Sequence, residues 1–162
     1  MRTNKVKKVL IALDYNPTAQ KVAENGFALA KAMNAEVTLL HVISDPVYYS
    51  STEYSPIMGF NGYTDLNKFQ PDSMAELTKA SESFLEKSRH HLGDQTIQIM
   101  VKEGDFAESI LKTATSMRAS VIVMGSHSRK WLENIVMGSV TESVLHQTSI
   151  PLFIIPTKKK KS

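Results

Sequence analysis

Apolar residues in this chain cluster into short runs separated by stretches where they recur every third or fourth position, a pattern that predicts strands and helices in alternation. "KKVLIALD" (7 to 14) has the aliphatic run and polar end of a buried strand. Asn16 then offers a helix cap and Pro17 a first helical position, after which Ala19, Val22, Ala23, Gly26, Phe27, Ala30 and Met33 define one helix face with a flat spot at Gly26. "AEVTLLHV" (35 to 42) reads as a second buried strand. One crossover helix fits between the two, so the unit is βαβ and the pair parallel. Residues 44 to 72 break the rhythm with three prolines, two glycines and four of the five tyrosines. That composition predicts a long surface loop, a kind of segment that is often functional.

Ser73 with Glu76 gives a capping box, Leu77, Ala80 and Phe84 follow at helical spacing, and Gly93 ends the element. Ile97, Ile99 and Val101 alternate as a strand does. Asp105 with Glu108 starts a further helix that carries Ile110, Leu111, Ala114 and Met117 inward. "SVIVMG" and "PLFIIP" supply the fourth and fifth strands, with a helix from about Ser139 to Gln147 between them. The expected fold is therefore α/β: one open, twisted, five-stranded parallel sheet with helices on both faces, forming a single domain over 1–157. Ligands of such sheets sit beyond the carboxyl ends of the strands, where strand order reverses. Asp14, Val42 and Gly125 stand at such ends.

Charge changes this picture at the termini only. The formal net charge is +3 and the pI about 9.0, which invites a nucleic-acid reading. Arg2, Lys5, Lys7 and Lys8 at one end and Lys158 to Lys161 at the other account for eight positive charges, and removing them leaves −5 for residues 9 to 157. An acidic body with basic ends argues against a nucleic-acid face, and residues 158–162 read as a solvated, disordered lysine-rich tail. Cysteine is absent, which excludes disulfides and Cys-based metal sites and fits a reducing compartment. The apolar run "VLIAL" is too short for a signal peptide, and no run approaches the roughly 18 residues of a membrane span. The expectation is a soluble, cytoplasmic protein without membrane or nucleic-acid partners.

The last two of the seven glycines, Gly125 and Gly138, bracket "GSHSRKWLENIVMG". Gly125 follows a strand directly, where a missing side chain allows a sharp turn or a close approach to the backbone. Gly138 precedes Ser139, Val140, Thr141 and Glu142, a Ser-x-x-Glu capping box whose helix N-terminus offers free N–H groups to a phosphate. Arg129 adds a fixed cation. The plainer alternative is that Gly125 only turns the chain and Ser139 only caps its helix.

The whole segment, together with "VLIALD", "AEVTLLHV" and "VKEGDFAESILKTA", resembles the universal stress protein family. Its nucleotide-binding members carry Gly-x2-Gly-x9-Gly followed by Ser or Thr; here it stands as Gly125-x2-Ser128-x9-Gly138-Ser139. The resemblance implies a Rossmann-like, adenine nucleotide alpha hydrolase-like domain that binds ATP, or ADP or AMP, with Mg2+. It implies that Asp14, the backbone at Val42 and Ala12 hold the adenine end and that Met124 and Gly125 approach the ribose. Ser128, Arg129, Gly138, Ser139 and Val140 would cradle the phosphates. Ser128 departs from the pattern, and a side chain in a left-handed conformation there costs on the order of 1 kcal/mol. Its hydroxyl is equally a phosphate donor. The resemblance also implies a homodimer paired through the last strand, 151–156.

Little else carries chemistry. His127 and His41 read as histidines hydrogen-bonded within a loop and at a strand end, His90 and His91 point apart on a helix, and Trp131 reads as packing. No hydrolase elbow, lysine-bearing phosphate loop or His-x-Gly-His is present, so the expectation is no catalytic residue and no resident metal site. The expected role is a non-catalytic, nucleotide-responsive stress regulator. The alternatives are a homodimeric scaffold of the same fold that binds no nucleotide, or a slow ATPase.

Overall fold

The computed structural model describes residues 6–14, 19–43, 74–126 and 139–157, Ser139 by its backbone alone. Five strands and four helices alternate along them. They are β1 (Lys8–Ala12), α1 (Ala19–Met33), β2 (Glu36–Ile43), α2 (Met74–Leu92), β3 (Gln98–Glu103), α3 (Phe106–Ser116), β4 (Val121–Gly125), α4 (Ser139–Gln147) and β5 (Leu152–Ile155). The expected elements fall within a few residues of these bounds. The 44 to 72 loop, Asn16, Pro17, Ser73, Trp131 and the lysine tail lie outside the described residues.

The strands form one parallel sheet in the order β3-β2-β1-β4-β5. β1 is central, and the chain first builds outward on one side of it before crossing to the other, so strand order reverses between β1 and β4. Alternate residues point to opposite faces, and both faces are apolar. Val9, Ile11, Val37, Leu39, Val121 and Val123 pack with α1 and α2 on one side. Leu10, Leu40, Val42, Ile122 and Met124 pack with α3 and α4 on the other. Uninterrupted apolar runs such as "VLIA" are what a strand buried on both faces requires.

The flat spot on α1 has a direct cause. A Cβ at Gly26 would lie 2.8 Å from Ile11 Cδ1, 3.0 Å from Ile11 Cγ1 and 3.0 Å from Val123 Cγ1. Glycine there lets the helix rest directly on β1 and β4, the two strands that flank the reversal. At the start of α3, Asp105 is extended (φ −67°, ψ 137°) and its carboxylate accepts from Glu108 N at 2.9 Å, as the capping pattern predicts.

Helices α1 and α2 are joined at their outer surface by Glu24. Its Oε1 accepts from Gln20 Nε2 at 2.8 Å and lies 3.0 Å from His91 Nε2. The Gln20 amide first, and then His91, hold the Glu24 carboxyl below its ordinary value.

Two outcomes follow for the fold. Gly26→Val should lower stability by about 2–3 kcal/mol in urea unfolding, the size of an overpacked core position, and Gly26→Ala by less because alanine regains helix propensity. A carboxyl NMR titration should find Glu24 with a depressed midpoint that rises toward the ordinary value in Gln20→Ala. A depressed folded-state pKa means that the stabilisation from Glu24 is present above its unfolded-state pKa and is lost as pH falls through the folded value.

Candidate functional site

The parallel arrangement delivers every strand's carboxyl end to one edge of the sheet. At the reversal Ile11 is opposite Val123, so β1 and β4 end side by side, with Leu13 and Asp14 next on one and Gly125 and Ser126 next on the other. β2 runs longer than β1. Leu40 O accepts from Leu13 N at 2.8 Å, while Ile43 O accepts from Gly104 N at 3.0 Å. Even-numbered residues of β2 therefore turn their main-chain groups toward β1 and odd-numbered ones toward β3. The peptide groups of Val42 face the β1 side just past the level where β1 ends.

Each wall of the crevice is tied in place. His41 is buried (1% exposed), and its Nδ1 lies 2.8 Å from Leu13 O. A carbonyl only accepts, so Nδ1 carries the hydrogen. The ring stands edge-on to Phe84, 6.0 Å away at 76°. His41 is thus a structural histidine that fixes where β1 hands over to Asp14, in line with the strand-end reading. On the other wall Thr141, fully buried in the first turn of α4, donates from Oγ1 to Gly125 O at 2.8 Å. That bond seats the N-terminus of α4 on the end of β4. Ser126 N donates to Ile155 O at 2.9 Å, and Thr157 N donates to Ser126 Oγ at 3.0 Å, so the chain leaving β5 is stapled to the same place.

The sequence-predicted residues divide as follows. Ala12, Asp14, Val42, Met124 and Gly125 meet at the carboxyl ends of β1, β2 and β4, and Ser139 and Val140 open α4 beside them. Ala12 and Asp14 are half-buried, as a wall open to a ligand requires. The side chains of Val42 and Met124 are in the core, so these two offer main chain to the crevice. Ser128, Arg129 and Gly138 lie outside the described residues, as does His127. His41, Thr141, Ser126 and Thr157 were not singled out as site supports by sequence reasoning. The signal for His41 was a lone imidazole inside an apolar strand; for the hydroxyl residues there was none, because their partners are main-chain groups distant in sequence. Among the described residues no cluster of three or more acidic or histidine side chains forms a metal centre, and no helix is long and apolar enough to cross a membrane.

The fold is an open parallel α/β sheet with a topological switch point between β1 and β4. The family model of the universal stress proteins matches residues 5–156, and the chain belongs to that family. Universal stress protein MJ0577 of Methanocaldococcus jannaschii is 28% identical over 155 residues, spanning 94% of this chain and 96% of the relative. Stress response protein NhaX of Bacillus subtilis is 29% identical over 164 residues, spanning 91% and 96%. The solved structure of MJ0577 superposes with a TM-score of 0.71 at 27% identity, covering 95% of this chain and 98% of the other. A universal stress protein solved in complex with cAMP superposes at 0.61 with 14% identity, covering 94% and 98%.

The Thr141 bond makes a checkable claim about the site's frame. Thr141→Val keeps the shape but deletes the donor to Gly125 O, and should lower stability by about 1–2 kcal/mol in urea unfolding, with Thr141→Ser retaining most of it.

Proposed function

We propose that this protein binds ATP or another adenine nucleotide at the carboxyl end of its sheet and acts as a nucleotide-responsive switch in a stress response. The observation that carries the reading is the seating of α4 on β4: the Thr141 hydrogen bond brings a helix N-terminus against a glycine strand end at the point of strand reversal. A helix N-terminus presents unpaired N–H groups and a partial positive charge, and Gly125 adds main chain with no side chain in the way. Half-buried Asp14 and the inward-turned peptide of Val42 supply a carboxylate and amide groups for the polar edge of a base. The residues present fit an adenine nucleotide, with Mg2+ accompanying its phosphates. The family member solved with cAMP carries an adenine nucleotide on the same fold; that likeness speaks to the fold, and the reading for this chain rests on its own crevice.

The protein's part in this reading is to hold the nucleotide and to register its presence. Among the described residues, Thr141 Oγ1 is committed to Gly125 O and His41 is 1% exposed within the core, so the reading assigns neither of them to activating water. The reading is therefore one of binding without turnover. β5 is an edge strand of the sheet with Phe153 41% exposed, which supports pairing with a second copy of the chain through residues 151–156. A cytoplasmic location accords with the absence of cysteine.

Thermal unfolding with Mg2+ and ATP, ADP or AMP tests the reading. A nucleotide at 100 times its dissociation constant should add about 2.7 kcal/mol of stability. Gly138→Val should abolish the shift while leaving the unliganded midpoint near that of the parent. A midpoint that none of the three nucleotides moves at millimolar concentration overturns the reading in favour of a scaffold without ligand.

A further inference from the structure

An open sheet has two edges, and the edge opposite β5 is β3. Its main chain is spent on one side only. Gly104 N donates to Ile43 O, so even-numbered residues of β3 turn their peptide groups to β2, while Ile99, Val101 and Glu103 turn theirs outward. The two faces beside this edge are covered unequally. Helix α2 packs on both β2 and β3, whereas α3 packs on β2 and against α4. A groove of about 500 Å³ remains between α3 and β3. Helix α3 leads from β3 to the parallel strand β4 and so runs antiparallel to β3, which places Glu108 at the carboxyl end of the groove and Met117 toward its other end. Met100 and Lys102 of β3 and Lys112 of α3 line the stretch between. Both lysines are exposed, and neither has an ion pair or hydrogen bond among the described residues.

We infer that the β3 edge is a docking site for an extended peptide that carries an apolar and an acidic side chain two positions apart. The inference is independent of the nucleotide reading. Outward N–H and C=O groups at Ile99, Val101 and Glu103 accept a further strand through the kind of ladder that joins β3 to β2. An added strand sends alternate side chains over the α3 face, and there they meet Met100 and Lys102, themselves two positions apart. The groove thus reads a spacing. A methionine floor adapts to aliphatic and aromatic shapes, and the lysines select a carboxylate beside them. The acidic residues of this region do not cancel that preference. Asp105 is committed to Glu108 N at 2.9 Å, and Glu103 has the strand parity of Ile99 and Val101, which pack with the α2 face. Glu108 alone then stands against two lysines, at the end of the groove where α3 begins. Lysines on an edge also discourage indiscriminate strand pairing, so the partner is chosen by charge as well as by its main chain.

The test is NMR titration and amide hydrogen exchange of the full chain with a pool of end-capped hexapeptides in which Val, Leu, Ile or Phe stands two positions from Glu, with Thr elsewhere. A second pool has Lys in place of Glu. The first pool should give saturable shifts and slowed exchange at the amides of Ile99, Val101 and Glu103, and the second should bind at least tenfold more weakly. Replacing both lysines, Lys102→Gln with Lys112→Gln, should weaken the first pool about three- to tenfold, the yield of two exposed ion pairs. Val101→Pro removes a donor that points away from β2, so it should weaken the pool while the fold, read from the amide spectrum of β1 and β4, persists. No response at these amides to any member of the first pool, or equal affinity for the two pools, overturns the inference. Slow exchange of the same amides in the chain alone also overturns it: if lost on dilution, a second copy covers the edge, and if independent of concentration, the chain covers it itself.

Discussion

The central strand β1 is the constraint on which the other parts depend. It is buried on both faces and paired on both edges, so Val9, Leu10 and Ile11 have no contact with water at all. Because β2 and β4 take opposite edges of it, the connections diverge and a crevice opens where β1 stops. The crevice is thus a consequence of strand order, and nothing in its local sequence has to create it. Gly26 belongs to the same constraint: α1 covers both strands at the reversal only because no Cβ stands between it and Ile11 and Val123.

Much of this architecture is written in the order of apolar runs. "VLIA", "VTLLHVI" and "VIVM" are apolar at both parities, which separates doubly buried strands from half-exposed ones, and their spacing admits only helical crossovers. The caps were legible for the same reason, since an Asp105–Glu108 offset reports a local hydrogen bond between near neighbours. His41 was legible as a hydrogen-bonded strand-end histidine, but the partners of the site supports were not. Thr141 reaches back 16 residues to Gly125, Thr157 reaches back 31 to Ser126, and His41 reaches 28 to Leu13. Each bond joins a hydroxyl or imidazole to a main-chain group or short side chain, and such a group leaves no mark in composition or period. Ala12, Asp14, Val42, Met124 and Gly125 share one edge because a parallel sheet collects the carboxyl ends of its strands.

The two walls of the crevice differ in how they are held. On the β1 side a buried imidazole and the β2 ladder fix the chain up to Leu13. On the β4 side three separate pieces of chain converge: the end of β4, the first turn of α4 and the exit from β5, joined by the Thr141, Ser126 and Thr157 bonds. A ligand seated against Gly125 and α4 therefore bears on the same bonds that position the exit of the edge strand. In the proposed switch this is the physical link between an occupied crevice and the surface where a second copy would pair, and it runs through hydrogen bonds a few ångströms long.

The weight of the Ser128 variation can be judged against these terms. A side chain in a left-handed position costs about 1 kcal/mol, which is less than a tenfold change in affinity. In the proposed nucleotide site, several amide donors at a helix terminus and a strand end would each contribute on a comparable scale, so one substituted glycine would weaken phosphate binding without abolishing it. The end of β4 and the exit from β5 stand together at Ser126 and Thr157 for one cause, the parallel run of the two strands.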